Sequence, residues 1–124
     1  MNINWIQKLQ KRTFDFALDS IKLFQLLPSK PESLVLGKQM FRAATSVGAN
    51  YRAACRAKSQ ADFIYKIKIV VEEADEVDYW LELLKRLHPE LIEQIGLISI
   101  EAKELRAIFA RSLLTAKQNQ KKKN

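Results

Sequence analysis

The chain has 124 residues, 48% of them hydrophobic, with 21 Lys/Arg against 14 Asp/Glu and a net charge of +7, enough for one compact domain that buries roughly two thirds of its unfolded surface. Its single cysteine, Cys55, excludes an internal disulfide, and no apolar run approaches the roughly 20 residues that cross a bilayer. The expectation is a cytoplasmic protein with no membrane partner, whose positive surplus suits an acidic partner such as nucleic acid.

Three glycines and three prolines punctuate the chain, and no segment alternates with period two, so helices and no strands are expected. The first helix, predicted over 5–27, buries Leu9, Phe14, Ala17, Ile21 and Phe24 and stops before Pro28. Ser29, Pro31 and Glu32 read as a capping box that opens a second helix over 31–57. On it, Lys38, Arg42, Thr45, Ala49, Arg52 and Arg56 recur at steps of four and three and so share one face. The same helix is rich in small residues, among them Ala43, Ala44, Gly48, Ala53 and Ala54, which suits a segment sandwiched between neighbours, with Gly48 at a tight crossing.

Ser59 and Asp62 signal the start of a third helix over 60–88, so its connection to the second is very short and the two are antiparallel. Phe63, Ile67, Val70, Ala74, Val77, Leu81 and Leu84 form its apolar stripe, and Pro89 ends it. A brief turn closed by Gly96 then precedes a fourth helix over 99–116, capped by Ser99, with Ala102, Leu105, Phe109, Ser112 and Ala116 on one side. Residues 117–124 have no apolar anchor and read as a basic disordered tail. The predicted fold is therefore all-α, an antiparallel up-down four-helix bundle spanning 1–116.

Charge is uneven along the chain: ten Lys/Arg against three Asp/Glu in 1–58, two against seven in 59–84, nine against four in 85–124. Pairing of the acidic block with basic neighbours is expected, with Arg42, Arg52 or Arg56 forked onto the carboxylates of Glu72, Glu73 and Glu76. Arg42, Glu73, Glu76 and Trp80 are the candidate helix or subunit interface, Trp80 and Tyr79 standing just off the apolar stripe. Arg52, Arg56 and Lys58 beside a helix junction, with Lys121, Lys122 and Lys123 at the end of the chain, are the candidate nucleic-acid contacts. The glutamates could suggest a bundle metal site, but such sites use Glu-x-x-His pairs and His88 is the only histidine, so neither metal nor cofactor is expected. Cys55 reads as a small buried side chain. The chain carries no phosphate-binding glycine loop, nucleophile elbow or zinc-ligand spacing, and a non-enzymatic protein is the expectation.

Arg42 with Ser46, the Ala49-Asn50-Tyr51 step, Ser59 with Phe63, the region from Glu73 to Glu76, Tyr79-Trp80-Leu81 and the stretch from Glu101 to Leu114 together form a distributed pattern. It resembles the bacterial four-helix-bundle family named for reading frames inside intervening sequences of 23S ribosomal RNA genes. The resemblance implies a homopentameric ring and no established enzymatic activity. Accessory proteins of diversity-generating retroelements resemble that family in fold, and their partners are nucleic acid and a reverse transcriptase. Two functions follow: an oligomeric accessory protein that binds structured RNA or DNA, and a protein-interaction scaffold whose basic residues are consumed in subunit contacts.

Overall fold

The computed structural model describes residues 2–123, Lys123 without its side chain. Four helices, α1 (Ile3–Leu26), α2 (Pro31–Cys55), α3 (Gln60–Leu87) and α4 (Ile92–Lys123), run up and down, with one 3-10 turn at Pro89–Leu91 before α4. No strand occurs among the described residues. Each helix packs on the next, most extensively α2 on α3, and α1 meets α4 sparsely to close the four-cornered bundle.

The ends follow local chemistry. The Asn2 side chain accepts from Asn4 N at 2.8 Å to cap α1, and α1 stops at Leu26 because Leu27, in extended backbone, precedes Pro28. The capping box expected from Ser29 and Glu32 does not form. Pro31 occupies the first helical position, so Lys30 is the cap residue and Ser29 lies one step too early to reach the free amides. At α3 the expected cap is present: Ser59 Oγ accepts from Asp62 N at 3.1 Å. α2 ends two residues earlier than expected, where Arg56 N and Ala57 N bond the carbonyls of Ala53 and Ala54 in a tightened last turn.

α2 is buried on two sides, with Met40, Ala43, Ala44, Val47, Tyr51 and Ala54 all at or below 1% exposure. A Cβ on Gly37 would meet Leu27 Cδ1 at 2.5 Å and Phe24 Cδ1 at 2.6 Å, and one on Gly48 would meet Thr13 Oγ1 at 3.2 Å. Both glycines therefore set how closely α1 approaches α2. α3 buries Ile67, Val70, Ala74, Val77, Leu81 and Leu84 as its stripe predicts, with Ile64 rather than the half-buried Phe63 at the start.

α1 and α4 depart from the expected pattern. The buried face of α1 is Leu9, Thr13, Phe16, Ser20 and Leu23, while Phe14 is 52% exposed and Ala17, Ile21 and Phe24 are half-buried. Thr13 and Ser20 tolerate the core because their hydroxyls donate to Gln10 O at 2.9 Å and Ala17 O at 2.6 Å within their own helix. α4 begins at Ile92, not at residue 99, and runs through Gly96; the apolar Ile95 and Ile98 are buried against the bundle and hold this first stretch helical. Ser99, instead of capping, donates to Asp78 Oδ1 at 3.1 Å. Nor does the helix end at 116: residues 117–123 continue it, and Asn124 lies outside the described residues. Lysine and glutamine are strong helix formers, and cations suit a helix C-terminus.

A methyl group added at Gly96 would meet nothing within 4 Å, so Gly96→Ala is expected to raise stability by about 1 kcal/mol, whereas Gly37→Ala, crowded by Phe24 and Leu27, is expected to lower it. Chemical denaturation followed by circular dichroism distinguishes the two signs.

Candidate functional site

Up-down topology brings the start of α1, the α2–α3 junction and the end of α4 to one end of the bundle. Segments 2–14, 43–71 and 105–123 lie toward that end and hold fourteen Lys/Arg and one Asp/Glu, a net +13. The rest of the chain, which begins at its borders with Asp15, Glu72 and Glu73, holds seven against thirteen, a net −6, and together they restore the overall +7. The fold thus converts charge blocks scattered along the chain into two ends of opposite sign.

The lone carboxylate of the basic segments, Asp62, is engaged. Lys66 Nζ donates to it at 2.8 Å and Lys58 N at 3.1 Å, and these bonds, the Lys66 one first, hold its carboxyl below the usual value. Of the three arginines expected as partners of Glu72, Glu73 and Glu76, Arg42 takes that role, while Arg52 and Arg56 make no ion pair among the described residues. Both are exposed near the end of α2, roughly two or more helical turns from that acidic cluster. Gln60 Nε2 donates to Ala116 O at 3.1 Å, which sets Ala116 level with the start of α3. Residues 117–123 therefore extend past the start of α3 by roughly 10 Å, at about 1.5 Å per residue, carrying the exposed Lys117, Lys121 and Lys122 on the last turns of α4. The side chain of Lys123 lies outside the described residues.

Two depressions flank Gln60 and Phe63 at this end. One, of about 610 Å³, opens between the first turns of α1 and α3 and the last turns of α4, beside Trp5 and Arg111. The other, of about 370 Å³, lies beside Tyr51, Cys55 and Lys58. Cys55 is exposed, not buried as expected; it falls in the last turn of α2, off the face occupied by Tyr51 and Ala54. The Tyr51 ring is fully buried and packs on Phe109 at 5.0 Å. Burial first, then the neighbouring Cys55, pushes its phenol up, and the hydroxyl has no partner of hydrogen-bonding geometry.

Arg42, Glu73, Glu76 and Trp80 come together at the middle of the bundle. Arg42 Nη1 reaches Glu73 Oε2 at 3.2 Å, its Nη2 reaches Glu76 Oε1, and Trp80 Nε1 donates to the same Glu76 oxygen at 3.0 Å. Glu76, then Glu73, raises the Arg42 pKa further. A second tie of this kind has no signature in the sequence: Arg12 forks onto Glu101 at 2.7 and 2.6 Å and touches Glu104 at 3.1 Å, joining α1 to α4. Some ninety positions separate Arg12 from these glutamates, and no periodicity links them. Arg106 on Asp75 at 3.0 Å adds a tie from α4 to α3.

Ser33 Oγ lies 2.7 Å from His88 Nε2, and His88 Nδ1 lies 3.3 Å from Glu90 Oε1. The arrangement has the order of a hydrolytic triad. Ser33 is wholly buried, however, so no substrate reaches its oxygen, and the contact serves to pin the first turn of α2 to the end of α3. Among the described residues no group of three or more His, Cys, Asp or Glu is placed to hold a metal ion. No helix among them is long and apolar enough to cross a membrane.

These features define an all-helical, up-down four-helix bundle with a polarised charge distribution. The chain belongs to the family of 23S rRNA-intervening sequence proteins, whose pattern it matches over residues 7–111. It is also similar to a crystal structure from Bacteroides thetaiotaomicron VPI-5482, a protein of unknown function from the S23 ribosomal protein family. The two share 35% identity with a TM-score of 0.77, covering 85% of this chain and 97% of that one. No protein of curated function matches.

Two measurements test the chemistry of this end. Because Asp62 titrates below its unfolded value of about 4, it stabilises the fold above that pH and loses the effect as pH falls through its lowered folded value; the stability gap between the wild type and Asp62→Asn is therefore expected to close in acid denaturation series below about pH 4. Tyr51→Phe removes a buried hydroxyl without a partner and is expected to leave stability unchanged or raise it by up to about 1 kcal/mol, read as a thermal midpoint.

Proposed function

We propose that the protein is a non-enzymatic, self-assembling accessory protein that binds nucleic acid through the basic end of its bundle. The observation that carries the reading is the gathering of fourteen Lys/Arg with one already-engaged carboxylate toward one end of the molecule, where Arg52, Arg56 and Arg111 make no ion pair among the described residues. Such a surface neutralises phosphates and releases their counterions without reading sequence. Arg52, Arg56 and Lys58 at the junction, with Lys121, Lys122 and Lys123 on α4, are the proposed contacts. A structured RNA or DNA is the ligand, and a reverse transcriptase is the further partner on the branch of the family's relatives that handles retroelements. The exposed, unpaired Cys55 suits a reducing cytoplasm.

Self-assembly is supported by a second surface. Phe14 and Leu18, 52% and 42% exposed, border a groove of about 510 Å³ with Gly48, Ala49 and Arg52 on the outer face of α1 and α2. An exposed aromatic and an exposed leucine beside a groove suit a contact with a second copy of the chain. A homopentameric ring is the assembly we propose, with Arg42, Glu73, Glu76 and Trp80 bracing the subunit from within. Arg52 also lines this groove, which keeps the scaffold function in play as the competing reading.

Replacing Arg52, Arg56 and Lys58 together by alanine is expected to reduce affinity for a structured RNA at low salt and to flatten the plot of log affinity against log salt by roughly 0.7–0.9 for each phosphate partner removed. Light scattering coupled to size exclusion on the same variant separates the readings. A particle of unchanged mass that no longer takes up RNA supports nucleic-acid binding, and a particle that falls apart supports the scaffold.

A further inference from the structure

We infer that the cleft beside Trp5 accepts an unpaired nucleobase, so that the basic end favours nucleic acid with a bulged or single-stranded residue over a continuous duplex. The inference rests on the nucleic-acid reading above and names the feature of the ligand that this end selects.

Trp5 stands in the first turns of α1 with 47% of its surface exposed, although tryptophan is ordinarily well buried. Its indole makes no hydrogen bond among the described residues, and it forms one wall of the 610 Å³ cleft, a volume within the roughly 300–1,000 Å³ of small-ligand sites. The half-buried Phe63 and Ile108 supply an apolar floor. Polar groups ring it: Ser112, Thr115 and Asn119, three positions of α4 that share one side, offer both donors and acceptors. Gln60 has its amide nitrogen engaged by Ala116 O, which fixes the side chain and leaves its carbonyl oxygen as an acceptor for a base amino group.

Charge decides what kind of flat molecule comes here. Arg111 lines the cleft, is exposed and pairs with no carboxylate among the described residues, while α4 carries no Asp or Glu beyond Glu104. An aromatic wall beside an unpaired guanidinium in a strongly positive field is the combination that holds a base by stacking and its phosphate by charge. A free apolar ligand gains nothing from that field. A base in a duplex cannot enter, because its faces are already stacked.

The test uses the full chain and two RNA hairpins identical except for one bulged nucleotide. The wild type is expected to bind the bulged hairpin about tenfold more tightly, the size of one stacking contact. That ratio is expected to fall to about one in Trp5→Ala and to persist in Trp5→Phe, which keeps an aromatic face; circular dichroism checks that each variant is folded. The fluorescence of Trp5, taken as the wild-type signal less that of Trp5→Phe, is expected to be quenched by the bulged hairpin and not by the continuous one. Equal affinity of the wild type for the two hairpins overturns the stacking inference and leaves electrostatic binding standing. Binding of neither at low salt overturns both readings. A Trp5→Ala particle of altered mass in light scattering also overturns the inference, since it would assign the cleft to a contact between copies of this chain.

Discussion

Small side chains on α2 let its backbone approach two helices at once, and this proximity governs the rest of the bundle. Ala43, Ala44, Val47 and Ala54 are wholly buried, and Gly48 brings Thr13 of α1 to a distance that any larger residue would disturb. Held this closely, α2 and α3 stay in register, and Arg42 meets Glu73 and Glu76 across them. A loose α2 would unlink both the apolar layers and the charged ties at their edges, because dispersion falls off within a fraction of an ångström. The same closeness explains why α1 needs so little from α4: it is positioned by α2, and the fork of Arg12 onto Glu101 fastens its free side.

Four antiparallel helices also impose a rule on charge. Whatever lies near the start of α1 shares an end with the junction of α2 and α3 and with the close of α4. The basic residues of those three stretches are unrelated in sequence and become neighbours only through topology. The short 56–59 connection fixes that topology, with Ser59 capping α3 almost as soon as α2 has ended.

Local chemistry makes much of this legible in the amino-acid sequence. The heptad of α3 names its buried face, and the start signal at Ser59 and Asp62 is one that local hydrogen bonding alone explains. Hydrophobicity is a poor guide to the α1 face, because Thr13 and Ser20 satisfy their hydroxyls on their own helix and so occupy core positions that a purely apolar pattern assigns to Phe14 and Ile21. Gly96 and Ser99 look like punctuation, yet a buried Ile95 and Ile98 outweigh a glycine's modest penalty. For the candidate site, the basic junction residues are visible as charges. Trp5 and Arg111 stand at opposite ends of the chain and carry no joint signal; only the fold sets them around one cleft.

Length has a consequence for the polarised charge. α3 spans 28 residues, roughly 42 Å at about 1.5 Å per residue, whereas the Debye length at physiological ionic strength is about 8 Å. A polyanion seated at the basic end lies several screening lengths from the carboxylates of the far end, which act on it weakly, while pairs at mid-height such as Arg12–Glu101 and Arg106–Asp75 join the two charge regions. At a distance and in low salt the two ends act together as a dipole, and the molecule turns its basic end toward an approaching polyanion before they touch.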